Sequence, residues 1–387
     1  MGITSFTQIA KAFKCATRKE KSELSQKKIV ILDASNAMFK YCIGRINNGE
    51  PIFNKDGKLV IHLMVTFSIV TKMLSQGLQP LFVFEGTASL DDKNIVCAER
   101  KKIKDKSRIK CLEIEDKTSP EYLKHMKRSF QLKSKHYDEI KKLLELAGIP
   151  YVTAPGEGDP QCAAISKYYK LPVITDDTDI LAYGGTKIWR DFSMANMNTT
   201  ELSRKTIIEN MKIEANKIRF ANDLCPINLE YENFVDYCIM LGTDYTPFDC
   251  KTKISGSVEK LFEIFVINNF DVRLTCDYIR ENDVKLRISN KFIESWERIR
   301  EKYLETPVIH PKNINIYMTN PHVEELINYL CDEYDLDRFF VTKKLSYFSK
   351  HNFFSNEVSS ENTSYYNFRQ KQYGGKYYIS DRYMSYS

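Results

Sequence analysis

The stretch VITDDTDILAYGG, residues 173–185, puts three carboxylates into four positions at the end of an apolar run: Asp176, Asp177 and Asp179. Other acids are placed in the same way. Asp33 ends the run ILDAS, Glu85 ends LFVFEG, Glu157 and Asp159 lie in APGEGDP, and Asp244 follows the apolar FVDYCIMLG. Carboxylates crowded within about 4 to 6 Å raise one another's pKa and repel unless a cation neutralises them. Oxygen ligands without His or Cys suit Mg²⁺ or Mn²⁺, and this many acids exceed the need of one octahedral Mg²⁺ that keeps several waters. Two such ions about 4 Å apart are a known device for cleaving phosphodiesters.

Each acid also has a local explanation. Asp159 before Pro160 has the form of a helix N-cap followed by Pro at the first helical position. Asp33 suits a cap for the helix SNAMFKY, and Asp176 or Asp177 suits a turn. One such explanation serves one position; it does not serve all of them. In an extended segment, Asp177 and Asp179 would project to one face and Asp176 to the other.

The elements that must position these acids can be read from apolar spacing. KKIVILDASNAMFKY (27–41) begins as a strand ending at Asp33, HLMVTFSIVTKMLSQG (62–77) has helical spacing with a Gly stop, and QPLFVFEG (79–86) is a strand ending at Glu85. Then come a helix YDEIKKLLELAG (137–148), a strand IPYVTAPG, a helix from Pro160 and a strand LPVITDD. Strands alternating with helices predict an α/β fold with a mostly parallel central sheet flanked by helices, and ligands in such sheets bind at the carboxyl ends of the strands. The acids fall at those ends.

Composition bounds the class. The 387 residues are 43% apolar, enough for a sizeable core, and no apolar run reaches the roughly 18 to 20 residues of a membrane span. The N-terminal MGITSFTQIAKAFK has neither the apolar core nor the cleavage site of a signal peptide, so a soluble intracellular protein with no membrane partner is expected. Ten cysteines, with no Cys-x-x-Cys pair, read as reduced thiols. The net charge of +6 is modest, but AERKKIKDKSRIK (98–110) and KHMKRSFQLKSKH (124–136) concentrate basic residues. Such runs are often solvated helix faces. Beside a carboxylate-lined site they suit a polyanion held by its backbone.

The N-terminal MGI, ILDAS, LFVFEG, GIPYVTAPGEGDPQCAA, ITDDTDILAYG and FVDYCIMLGTDY, in this order and spacing, resemble the flap endonuclease and XPG family of structure-specific 5′ nucleases. The resemblance covers roughly residues 1–265 and continues more weakly to about 350. It implies a PIN-like 5′ nuclease fold with a helical arch and a C-terminal helix–turn–helix region. It also implies two Mg²⁺ ions, with Mn²⁺ as a substitute, held by Asp33, Glu85, Glu157, Asp159, Asp177, Asp179 and Asp244. Asp177 and Asp179 would serve mainly one ion and Glu85, Glu157 and Asp159 mainly the other, with Asp176 outside the set. The family has Asp where this chain has Glu85, and Glu where it has Asp159; both positions remain carboxylates. The implied chemistry is in-line attack of water on a phosphodiester, with no Ser, Cys or His nucleophile.

In the arch, the resemblance places Lys93 and Arg100, seven residues apart and so on one helical face, at the scissile phosphate, with Lys101, Lys102 and Lys104 on the DNA. Phe39 stands where the family presents a ring for base stacking; an ordinary core Phe is the alternative. Gly256, flanked by Ser255 and Ser257, is all that remains of the family's Gly-x-Gly turn for the duplex backbone and potassium. The expected domains are a 1–250 nuclease core including an arch at about 86–136, a 251–350 helix–turn–helix and helical region, and a poorly ordered 351–387 tail.

The implied function is a 5′ flap endonuclease with 5′–3′ exonuclease activity on branched or nicked DNA carrying a 5′ single-stranded arm, in replication, repair or recombination. A monomer is expected, with no clear sliding-clamp box, acting in the nucleus or at a cytoplasmic replication site. The Lys, Asn, Ile and Tyr content suits an AT-rich coding source, and the reduced helix–turn–helix together with the missing clamp box resembles family members of large DNA viruses. Two alternatives stay open: a nuclease for nicks, gaps, bubbles or four-way junctions, and an inactive scaffold that binds DNA.

Overall fold

The computed structural model describes residues 2–24, 28–47, 53–87, 94–116, 119–245, 253–254, 258–282, 286–288 and 292–350. Its main sheet has seven strands: β1 (Ala16–Lys19), β2 (Lys28–Asp33), β3 (Leu78–Phe84), β4 (Tyr151–Thr153), β5 (Val173–Ile174), β6 (Lys187–Ser193) and β7 (Asn198–Ser203). Their order is β1-β7-β6-β5-β2-β3-β4, parallel from β6 through β4, with β7 antiparallel to both β6 and β1. The expected mostly parallel sheet is present. The antiparallel edge is an addition that the sequence pattern does not announce.

Every residue of β3 is buried, and β2 is buried from Val30 onward. Continuous burial follows from helices covering both faces. Alternate residues divide between the two cores: Ile31, Leu81 and Val83 face one, while Val30, Leu32, Phe82 and Phe84 face the other. The first core is closed by helices Phe6–Ala12, Gly158–Tyr169, Tyr231–Leu241 and Val258–Ile267. The second is closed by helices Ala34–Asn47, Ile61–Leu74 and Ser134–Leu146. The segment beyond 258 contributes to both: Phe262 and Phe265 join the first core, and Leu326, Leu330 and Val341 join the second.

From β2, the chain adds β3 and β4 on one side and then β5 and β6 on the other. The reversal of direction lies between β2 and β5. At such a switch point the connections diverge and leave a crevice at the carboxyl ends of the strands. Over the basic region, helix Asn94–Glu113 packs against helix Pro120–Ser129, which in turn touches helix Ala34–Asn47. Ser119 caps the second of these helices by accepting from the Tyr122 N–H, with Pro120 in the first turn. Among the described residues no helix is long and apolar enough to cross a membrane.

Candidate active site

β2 ends on Asp33 and runs directly into helix Ala34–Asn47. The Asn36 N–H donates to Asp33 Oδ1 at 3.1 Å, so the expected capping contact exists. One contact does not use up a carboxylate, and Asp33 is also the acid next to the switch point. On the neighbouring strand, Glu85 is the first residue after β3 and is exposed. The Gly86 N–H donates to Gly156 O at 2.7 Å, and a Cβ on Gly86 would overlap the carbonyl oxygens of Ala154 and Pro155. Glycine there lets the β3 and β4 loops be stitched together. A Cβ on Gly158 would lie 3.8 Å from Glu85 Cγ, so Glu85 leans toward the helix that follows β4.

That helix starts two residues before Pro160, and Glu157 rather than Asp159 occupies its N-cap. The capping explanation for Asp159 therefore falls: Asp159 lies in the first helical turn, where the helix dipole favours a carboxylate. The Glu157 side chain does not cap the helix either. Its Oε2 accepts a hydrogen bond from the Tyr245 hydroxyl, which stands 2.5 Å from the Tyr183 hydroxyl. Burial pushes the hydroxyl pKa of both tyrosines well up, so they act as neutral hydrogen-bonding groups.

The extended arrangement expected for residues 175–179 is not observed. The strand stops at Ile174, the Asp177 N–H donates to Thr175 Oγ1, and the Asp179 N–H donates to Asp177 Oδ1, each at 3.1 Å. Asp and Thr side chains bonding the backbone two residues on compete with strand pairing and fold a turn. Asp179 opens the short helix Asp179–Ala182 and is only 1% exposed. Asp176 points elsewhere, to Lys40 at 2.8 Å.

The N-terminal segment braces this turn. The Ile3 N–H donates to Thr178 Oγ1 at 3.0 Å and the Thr4 N–H to Gly242 O at 2.7 Å. Gly2 has φ +86°, and a Cβ there would overlap Asp177 Oδ1 and stand 2.7 Å from Thr178 Oγ1. Gly242, at φ +96°, ends helix Tyr231–Leu241 and leads to the half-buried Asp244. Tyr245, bonded to Glu157, ties that loop to the segment after β4.

The electrostatics agree with this convergence. Burial above all, and then the negative charges of Glu85 and Asp177, push the Asp33 carboxyl up to about 7 against the Asn36 hydrogen bond. Acids from three adjacent strand ends thus sense one another, and a cation among them would remove the penalty. The donors are all carboxylate oxygens, the chemistry of Mg²⁺ or Mn²⁺. Among the described residues no three of them close on one point as a ready-made cage.

Phe39 is 50% exposed on the helix that follows Asp33, which removes the core alternative for its ring. Lys101 and Lys102 are exposed and Lys104 is half-buried on helix Asn94–Glu113. Arg100 belongs to that helix, but its side chain lies outside the described residues, as do Lys93, Gly256 with Ser255 and Ser257, and the segment from 351. Sequence reasoning missed Tyr183 and Tyr245. Tyr245 adjoins Asp244 in GTDY, and a hydroxyl beside a candidate ligand was the available signal.

Comparison with known proteins agrees with this geometry. The XPG N-terminal domain model matches residues 1–107 and the XPG I-region model matches residues 148–244. Flap endonuclease 1 of Candida glabrata is 30% identical over 317 residues, covering 79% of this chain and 75% of that protein. The chain belongs to the flap endonuclease and XPG family. It is accordingly a structure-specific DNA endonuclease, a hydrolase of phosphodiester bonds. Two solved structures share this family fold. Flap endonuclease-1 from Methanococcus jannaschii has a TM-score of 0.60 at 21% identity, covering 89% of this chain and 97% of that one. The catalytic core of Rad2 in complex with DNA substrate has a TM-score of 0.62 at 18% identity, covering 89% and 99%.

In this flap endonuclease relative, Gly2 supports a steric prediction. Gly2→Val should displace the Asp177 turn and lower single-turnover cleavage by about tenfold or more, because small misplacements at a reacting centre are costly. The melting temperature should fall as well, since Gly2 is buried and leads into Ile3 and Phe6 of the first core, so the rates are compared well below the variant's unfolding transition. Wild-type cleavage by the variant would show that the turn accommodates the side chain.

Proposed function

We propose that this family member is a Mg²⁺-dependent 5′ flap endonuclease with 5′–3′ exonuclease activity, acting on branched or nicked DNA that carries a 5′ single-stranded arm. One observation carries the reading: four adjacent parallel strands, β5-β2-β3-β4, end on an acid or lead to one within four residues, beside the switch in strand order. Asp177 and Asp179 would hold mainly one divalent ion, Glu85, Glu157 and Asp159 mainly the other, with Asp33 and Asp244 completing the set. Bound there, two ions supply a water acidic enough to attack at neutral pH and positive charge for the oxygens that gain negative charge.

The chain's own groups do the rest. Tyr245 holds Glu157 in one orientation through its hydroxyl. Phe39 offers a ring on which the base at the branch can stack, and Lys101, Lys102 and Lys104 follow the phosphates. Lys93 and Arg100 meet the scissile phosphate, and Gly256 with its neighbouring hydroxyls meets the duplex backbone. The domain plan is a 1–250 nuclease core with its arch, followed by a 251–350 helical region. The inactive-scaffold reading is disfavoured because all seven ligand positions carry acids.

The reading is tested by cleavage of labelled 5′ flap, nick, gap, bubble and four-way substrates in Mg²⁺. Flaps should be cut fastest, near the branch, and a preference for another junction would overturn the flap assignment. In the same assay, Lys93→Ala and Arg100→Ala should slow single-turnover cleavage more than they weaken binding, because a contact made chiefly in the transition state acts on the rate of chemistry. Weakened binding with unchanged chemistry would assign both residues to general DNA contact.

A further inference from the structure

Asp176 is the one acid of the DDTD turn left outside the proposed ligand set, and its surroundings are specific. Its Oδ2 accepts from Lys40 Nζ at 2.8 Å and its Oδ1 from the Asp191 N–H at 2.8 Å. The second bond requires an irregular β6: the register with β7 shifts between Arg190 and Ser193, and Asp191 takes a left-handed φ of +53°. A non-glycine residue in that conformation is strained, and such strain persists where the surroundings impose it. Around this point helix Ala34–Asn47 makes further attachments. The Asp176 N–H faces Asn36 Oδ1 at 3.5 Å, and the Tyr41 hydroxyl donates to Phe192 O at 3.1 Å. Asn36 and Lys40 are one turn apart and present one face of the helix to the DDTD turn and β6. Phe39, next in the chain to Lys40, is exposed.

A half-exposed ion pair such as Lys40–Asp176, with each side chain about a third exposed, contributes little to stability. The same pair can still fix an orientation. We propose that Lys40 and Asp176 form a positioning clamp that locks the Phe39-bearing helix to the DDTD turn, so that the stacking ring and the acids Asp177 and Asp179 are held in one frame. The proposal rests on the flap-cleavage reading for its substrate. The clamp also neutralises Asp176, which keeps this carboxylate from competing with Asp177 and Asp179 for an ion.

The test uses the full chain and a 5′ flap with 2-aminopurine at the branch, whose fluorescence reports stacking. In Ca²⁺, which supports binding without turnover in the assay design, wild-type enzyme should change that fluorescence and Phe39→Ala should abolish the change. Asp176→Asn and Lys40→Gln should each reduce it strongly, and the charge-swapped pair Lys40→Asp with Asp176→Lys should restore much of it. In Mg²⁺, each single variant should slow single-turnover cleavage by about tenfold, and adding Phe39→Ala to Asp176→Asn should slow it little further, since coupled residues are not additive. The Mg²⁺ concentration for half-maximal rate should stay at the wild-type value. Unchanged fluorescence, or additive effects with Phe39→Ala, would overturn the clamp. A shifted Mg²⁺ dependence in Asp176→Asn would make Asp176 an ion ligand instead, and weaker DNA binding with normal chemistry in Lys40→Gln would make Lys40 a phosphate contact; either result overturns the proposal. Failure of wild-type enzyme to cut flaps would overturn the functional reading alone, because the fluorescence readout does not require cleavage.

Discussion

Replacing Asp177 or Asp179 with Asn should lower cleavage in Mg²⁺ by at least about 10²-fold, because on the proposed two-ion reading each substitution would remove a charge that holds an ion stabilising the transition state. The substitutions are nearly isosteric. In Asp177→Asn the amide oxygen can still accept the Asp179 N–H that now bonds Asp177 Oδ1 at 3.1 Å, so the turn should survive. Relief of carboxylate repulsion near Asp33, whose pKa the Asp177 charge helps raise, should leave the fold no less stable. DNA binding should persist. Single-turnover cleavage, binding and thermal melting of both variants check the three expectations together. Wild-type cleavage by both variants would remove these two acids from the chemistry.

A 5′ flap whose end is blocked beforehand by a bulky protein should be cleaved at least about tenfold more slowly than the same flap with a free end, since under the proposed arch only a threaded arm would place its phosphate against the acids. The physical basis is the paired helices Asn94–Glu113 and Pro120–Ser129, the second of which touches helix Ala34–Asn47 just after Asp33. Their basic side chains can follow a single strand's backbone electrostatically. The interval from Glu85 to Glu157 is short, which favours a closed arch over an open platform. Added salt should weaken binding of both substrates through counterion release, so the rates are compared at one salt concentration with saturating enzyme. Equal rates would exclude threading and move the preferred substrate toward nicks, gaps or four-way junctions.

The parts of the site legible in the sequence are those fixed by burial. β2 and β3 are continuous apolar runs because both of their faces are covered, and such runs end visibly at Asp33 and beside Glu85. β1 (ATRK) and β7 (NTTELS) are not legible because they are short, polar and at the antiparallel edge. The 175–179 segment departs from the expected extended form for a local reason: Thr175 and Asp177 bond the backbone two residues on and fold the chain before the strand can continue. For Asp159, the N-cap pattern suggested by Pro160 is off by two positions, with Glu157 at the cap. Contacts such as Tyr245 with Glu157 and Lys40 with Asp176 join residues 88 and 136 positions apart. No periodicity or spacing encodes such pairs; they exist only once the sheet has brought its strand ends together.

The most direct test of the account is anomalous diffraction from crystals of the full chain with a 5′ flap substrate and Mn²⁺. Two Mn²⁺ peaks about 4 Å apart should lie among Asp33, Glu85, Glu157, Asp159, Asp177, Asp179 and Asp244, next to the phosphodiester at the branch. Mn²⁺ bound only elsewhere, or a scissile phosphate held away from these carboxylates in a complex that still cleaves in the crystal, would contradict it.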